Sequence, residues 1–478
     1  MYKTVCSCSG QKIIALACLL FACVFTMAAQ RKEGNLKYVL PEAYPADSII
    51  DQKLPIEEQW WKSFEDPLLD SLMQVAMQNN WNLLIAQQRV LQARSAMRSA
   101  YGAFFPSFDL SAGWNRGRSS QNLTGTTLNN DPYSSYFSGT VSMNWEIDVF
   151  GSIRNQARAQ KNTYRATKAD YYASMVSVAA SLGTAYVNLR TTQRQLEVMV
   201  NNIVTQQEVV RITEARYNAG LSSLLDVSQA KSTYYNTRAG IAAYETAENT
   251  YINTLAVLTG VLPSEVRPSV MQKAAFPKPE KLVPVSVPAA LLRQRPDIKA
   301  AEYQIAAQTA TLGVARSEWF PTFFLTGDIG VASKDMDHLF TKPSLIWQIA
   351  PVMKWTIFNG GQRASAVASA KASLQSSVDS YNLTVLTALQ EVDNAITAYK
   401  NSVKETVELR TAAAEAQRSF ELSIDLYKMG LSAFINVVNA QQSLLSYQTA
   451  LVNSEGNTLL NLIQLYQALG GGWENALP

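Results

Sequence analysis

The sequence predicts a chain of mixed α and β class, built from two copies of one strand-strand-helix-helix unit. Three observations lead there. Four short stretches alternate apolar and polar residues with period two. Each pair of them is followed by a long proline-free stretch of helical character. The motif RYNAGLSSLLDV at residues 216–227 returns as LYKMGLSAFINV at residues 426–437, which marks an internal repeat.

The first element is an export signal. Lys3 and Lys12 precede the apolar run IIALACLLFACVFTMAA, which ends in small residues before QRKEG, the layout of a secretory leader. Cleavage after Ala28 or Ala29 would leave a free N-terminus, whereas LFAC ending at Cys23 resembles a lipoprotein box in which Cys23 is lipidated. Both readings stay open, beside a third in which Cys23 is a small apolar residue of the leader. The resulting division is a signal at 1–29 (1–22 if Cys23 is lipidated), a first repeat at 30–262, a connector at 263–288, a second repeat at 289–472 and a tail at 473–478.

The strands come next. In SFDLSAGWN, Phe108, Leu110, Ala112 and Trp114 alternate with Ser107, Asp109, Ser111 and Asn115. In FSGTVSMNWEIDV, Val141, Met143, Trp145, Ile147 and Val149 alternate with Thr140, Ser142, Asn144, Glu146 and Asp148. The second half repeats the pair less cleanly in FFLTGDIGV and WQIAPVMKWTI, where Asp328 and Lys354 fall on the polar side. Alternation gives each strand two unlike faces.

After each pair proline disappears, from Tyr133 to Leu262 and from Val352 to Leu477. A helix from Ser152 to Tyr217 would be roughly 100 Å long at about 1.5 Å per residue, more than a globular core needs. Beyond the first copy of the motif, Val227, Ala230, Tyr234, Ile241, Tyr244, Tyr251, Leu255 and Leu258 form a three-four heptad seam, with Thr237 and Glu248 as exceptions. The second copy continues through Val437, Ala440, Leu444, Tyr447 and Leu451, shifts, and resumes at Leu459, Leu462, Tyr466 and Leu469. Between the halves, a segment with six prolines cannot be helical throughout.

Composition narrows the function classes. A net charge of +3, from 41 basic and 38 acidic residues, gives no footprint for nucleic acid. All four cysteines lie in the first 23 residues and His338 is the one histidine. That removes most metal sites and most Ser-His or Cys-His nucleophile pairs, and no cofactor is expected. Carboxylate chemistry remains conceivable, since Glu146 and Asp148 at i, i+2 would share a strand face.

No stretch after the leader approaches 18 continuous apolar residues, so any return to a membrane is by strands. Alternation fits a sheet with one face on a core and the other in water. It also fits a membrane β-barrel with aromatics on an apolar outer face and a polar lumen. In the barrel, Asp109, Glu146, Asp148, Asp328 and Lys354 would line the lumen, which accounts for the acidic pair without catalysis. Four strands are too few to close a membrane barrel, and an open edge cannot face lipid. Three copies would supply twelve strands.

The motifs WWKSFEDPLLDSLM, FFPSFDLSAGW, NWEIDVFGSIRNQ, LLRQRPDIKAAE and LYQALGGGW, in that order along the chain, resemble the outer-membrane factor family of TolC- and OprM-like ducts. LLRQRPDI and the GGGW ending look closer to its OprM-like branch. The resemblance covers essentially the whole chain after the leader. It implies a homotrimer with one twelve-stranded outer-membrane barrel continuous with a twelve-helix periplasmic tunnel. It also implies work as the exit duct of a tripartite efflux pump, in outer-membrane lipid, with a periplasmic adaptor and an inner-membrane RND-type transporter, passing small molecules. Export of proteins or peptides through the same architecture is the alternative within transport. A structural coiled-coil scaffold is the alternative from another class.

The resemblance also gives the repeated motif a place, as the turn joining two long helices at the periplasmic tip. Gly220, Leu221, Ser222, Gly430, Leu431 and Ser432 would form an adaptor-docking tip; the plainer reading is that the glycines cap helices and the leucines close the hairpins. The family gate would involve Tyr217, Asp226 and Tyr427. Ser432 replaces the gate arginine, and Asn436 and Asn439 stand at the acidic ring positions, so a looser, hydrogen-bonded constriction is expected.

Overall fold

The computed structural model describes residues 50–51, 59–118, 120, 133–272, 276–277, 283–284, 295–471 and 473. Cys23 and the leader, part of the connector and residues 474–478 lie outside them.

The four alternating stretches form one antiparallel sheet: β1 (Ser107–Arg118), β2 (Tyr133–Ile147), β3 (Thr322–Ser333) and β4 (Leu345–Lys354), in the order β1-β2-β3-β4. β2 pairs with β3 across the sequence repeat, with Ser142 opposite Asp328 and Val141 opposite Ile329. Two strands end earlier than their alternation suggests. β2 stops at Ile147, leaving Asp148 and Val149 outside, and β4 stops at Lys354, short of Trp355 and Ile357. In β4 Pro351 stands opposite Leu325, on the edge strand of the single chain's sheet. A separate two-residue parallel pairing joins Ile50–Asp51 to Val283–Pro284.

Eight α-helices are described. α1 (Pro67–Asn79) and α2 (Trp81–Gly102) precede the sheet, and the first hairpin is α3 (Ser152–Asn218) with α4 (Leu224–Thr259). α5 (Pro263–Val270) opens the connector and α6 (Pro296–Ser317) leads into β3. α7 (Gln362–Lys428) and α8 (Phe434–Ala468) form the second hairpin. α3 and α7 are each 67 residues long, roughly 100 Å of helix. Packing runs α4–α3–α8–α7 through the hairpins, while α3 and α7 also flank α6, and α2 packs on α3.

The largest core lies where both hairpins meet the N-terminal segment. Trp60 stacks on Tyr466, with ring centroids 5.5 Å apart, and the two are almost fully buried. Gly183 makes room for this pair, since a Cβ there would stand 2.8 Å from the Trp60 ring. Arg190 is buried beside it, donating to the Tyr186 hydroxyl, Gln193, and the Val270 and Gln272 carbonyls, while Tyr186 donates to Asp66. Burial first, then Asp66, pushes the Tyr186 phenol well above its usual range. Asp66 also caps α1 by accepting from the Leu68 and Leu69 amides.

The exceptions in the heptad seam have partners. Thr237 is buried and accepts from Gln206, and Glu248 accepts from Gln193. Thr406, Ser454 and Thr458 form a buried hydroxyl cluster between α7 and α8. Such polar contacts satisfy buried groups and fix register between long helices.

Candidate functional site

The sheet has two surfaces of opposite character, set by the pleat. One surface carries Phe108, Leu110, Trp114, Val141, Ile329, Trp347, Ile349 and Met353, in register across the strands. Leu110 is 78 % and Trp347 72 % exposed, an apolar area no water-facing sheet would leave bare. The other surface carries the polar set. Asp109, Ser142, Asp328 and Gln348 form one row across all four strands, with Glu146 and Lys354 on the same side.

Asp148 is a correction. It does not line that surface with Glu146, because β2 has already ended. Its carboxylate accepts from the Ile153 amide at 3.1 Å and the Arg154 amide at 2.9 Å, and pairs with the Arg154 guanidinium at 3.0 Å. Gly151, at φ +82°, has no side chain to cap the 67-residue α3, so the carboxylate four positions before its first residue does so. Glu146 and Asp148 therefore do not share a strand face. At the same end of the sheet each half uses one device: the Trp145 indole donates to the Phe104 carbonyl at 3.0 Å, and Trp355 to the Trp319 carbonyl at 3.2 Å.

At the opposite end the two hairpins turn. Gly220 (φ +70°) and Gly430 (φ +75°) adopt the left-handed conformation that ends α3 and α7, and the Leu221 and Leu431 amides reach back to the Arg216 and Leu426 carbonyls. Leu221 is 65 % and Leu431 72 % exposed. The glycines thus cap the helices, and the leucines point outward instead of closing the hairpins. Ser222 and Ser432 are half-buried in the same turns, and Ser432 accepts from Asn436 at 3.0 Å.

Of the residues singled out for a constriction, the structure joins Tyr427 and Asp226, with the phenol donating to the carboxylate at 3.2 Å. Burial, followed by the Asp226 charge, pushes the Tyr427 phenol up. Tyr217 is apart from that contact and exposed. Asn436 and Asn439 are also apart from it, lining with Glu415, Ser419, Ser443 and Tyr447 a groove of about 530 Å³ between α7 and α8.

Sequence reasoning missed Arg216. Its guanidinium lies over the Tyr427 ring, 4.8 Å from the centroid, and donates to the Lys428 carbonyl at 2.7 Å. It therefore satisfies an orphan carbonyl of α7 from the last turn of α3. The signal was present: an arginine directly before Tyr217, where the second copy of the motif has Leu426.

No described helix is long and apolar enough to cross a membrane. The model of the family described as outer membrane efflux protein matches residues 72–261 and 287–471. The chain is 32 % identical over 412 residues to a solvent efflux pump outer membrane protein, SrpC, of Pseudomonas putida, covering 86 % of each. It is 28 % identical over 420 residues to an antibiotic efflux pump outer membrane protein, ArpC, of the same species, covering 87 % of this chain and 86 % of that one. Among solved structures, the outer-membrane channel OprN superposes with a TM-score of 0.85 at 28 % identity, over 91 % of this chain and 98 % of that one.

Proposed function

The chain belongs to the outer membrane efflux protein family, and from that premise we propose that it is the outer-membrane exit duct of a tripartite pump, working as a homotrimer with a periplasmic adaptor and an inner-membrane RND-type transporter. The observation that carries this reading is the sheet: four strands, both edges unpaired, one surface apolar and the other polar. Such a sheet is unstable in water through its apolar face and in lipid through its edges. β4 of one copy and β1 of the next run antiparallel and can pair, so three copies close twelve strands with no edge left. α4 and α7 are the matching outer helices of the hairpins.

In the closed barrel Asp109, Glu146, Asp328 and Lys354 line the lumen and the aromatic surface meets outer-membrane lipid. The roughly 100 Å helices extend into the periplasm. Their tips present Leu221 and Leu431 as paired apolar contacts to an adaptor, on turns held by Gly220 and Gly430. The cargo is small molecules, the class that includes the solvents and antibiotics in the relatives' names. Outer-membrane fractionation followed by gels of heated and unheated samples tests the reading. A band of three chains that collapses on boiling is expected; a soluble, monomeric protein overturns it.

A further inference from the structure

We propose that Arg116 and Arg118 form a binding site for the headgroup phosphates of the outer-leaflet lipid, at the outer rim of the barrel. This rests on the reading of the sheet as part of an outer-membrane barrel. Period two puts both arginines on the apolar surface of β1, where they continue the row of Phe108, Leu110, Ala112 and Trp114. The contacts agree. Arg116 stands opposite Ser135, whose hydroxyl accepts from the Trp114 indole at 2.9 Å, and the Arg118 guanidinium lies over the Tyr133 ring, 5.4 Å from its centroid. Trp114 packs on Phe137 in the same patch, with ring centroids 6.5 Å apart. No other lysine or arginine of the four strands is on this surface, since Lys354 is on the polar one. Both arginines are exposed, and among the described residues neither pairs with a carboxylate. Every group of the site comes from β1 and β2 of one chain.

Height along the strand decides what two cations can meet there. At about 3.4 Å per residue, Arg116 and Arg118 stand roughly 27 and 34 Å along β1 from Phe108. With strands tilted by about 40°, that is a height of roughly 21 and 26 Å, against an apolar band about 25 Å tall. The pair therefore straddles the edge of the band, at headgroup level. The edge is the outer one, because α3 follows β2 and α7 follows β4 at the other end of the sheet, so the end with Arg118 and Tyr133 points away from the periplasmic helices. Guanidinium forks beside aromatic rings at that depth match phosphate, which they bind through paired N–H donors. The second half of the chain shows that the strand itself does not need them. Aligning FFPSFDLSAGWNRGR with WFPTFFLTGDIGVAS puts Val331 and Ser333 of β3 where β1 has Arg116 and Arg118.

The affinity of the purified, delipidated full-length trimer for rough lipopolysaccharide, read by surface plasmon resonance, tests this. Arg116→Val with Arg118→Ser, the residues that the second half carries, should weaken binding roughly tenfold or more while the trimer stays heat-sensitive. Lipopolysaccharide stripped of its phosphates should bind the wild type as weakly, and inorganic phosphate at the same phosphate concentration should not compete. Unchanged affinity in an intact double-variant trimer overturns the proposal, as does undiminished binding of the dephosphorylated lipid. Competition by inorganic phosphate overturns the assignment to lipid. If the variant forms no trimer, the dephosphorylated lipid on the wild type decides alone. A soluble, monomeric wild-type protein overturns the barrel reading itself, whereas an outer-membrane trimer indifferent to the phosphates overturns this site only.

Discussion

Replacing Asp148 with alanine separates a helix cap from a lumen residue. The substitution removes acceptors from the Ile153 and Arg154 amides at the start of α3. Losing a carboxylate that serves as a helix cap costs about 0.5–2 kcal/mol. The helix macrodipole adds roughly 0.5 kcal/mol, and the Arg154 ion pair less than about 1 kcal/mol, since that arginine side chain is 54 % exposed. The total is about 1–3.5 kcal/mol per chain, or a fall of about 1–4 °C in melting temperature for a chain this long. Circular dichroism of the detergent-solubilised protein reads the fall, and Asp148→Asn, which keeps one acceptor oxygen, should lose roughly half as much. Ion selectivity in bilayers should not change. An alanine variant within about 0.5 kcal/mol of wild type, or one that melts normally and shifts selectivity, would refute the assignment.

Three further variants probe other parts of the chain. Arg295→Met leaves the buried Ala468 carbonyl without its donor and unpairs Asp297 and Glu391, which are partly solvated; a loss of about 2–3 kcal/mol is expected in the same melts. Gly183→Val drives a side chain into Trp60 and Ile463, and should cost about 3 kcal/mol and loosen the Trp60–Tyr466 stack, seen as a change in tryptophan fluorescence. Leu221→Glu with Leu431→Glu should keep trimer and conductance yet abolish drug resistance in a susceptible host; normal resistance would remove the leucines from docking.

Much of the architecture was legible because it rests on local periodicity. The period of two in residues 107–115 and 140–147 appears in the sheet, and the proline-free stretches became 67-residue helices. What escaped depends on distance or on where an element ends. Asp148 continues the alternation of β2 faithfully, yet the chain leaves the strand one residue earlier because α3 needs an anion at its start. Thr237 looked like a fault in the seam until Gln206, on the facing helix, supplied its bond. The link from Asp66 through Tyr186 to Arg190 joins the N-terminal segment to the middle of α3, and no spacing rule reaches across that separation. At the tip, Gly220 and Gly430 were readable from the repeat, but Arg216 acts on Lys428 in the other hairpin, so only the packed structure reveals it.

The central claim is that three copies of this chain make one continuous pore across the outer membrane. Single-channel recording of the purified wild-type protein in a planar bilayer tests it most directly. Discrete current steps of uniform size from a three-chain particle are predicted; a protein that never conducts, or conducts only as a monomer, contradicts the account.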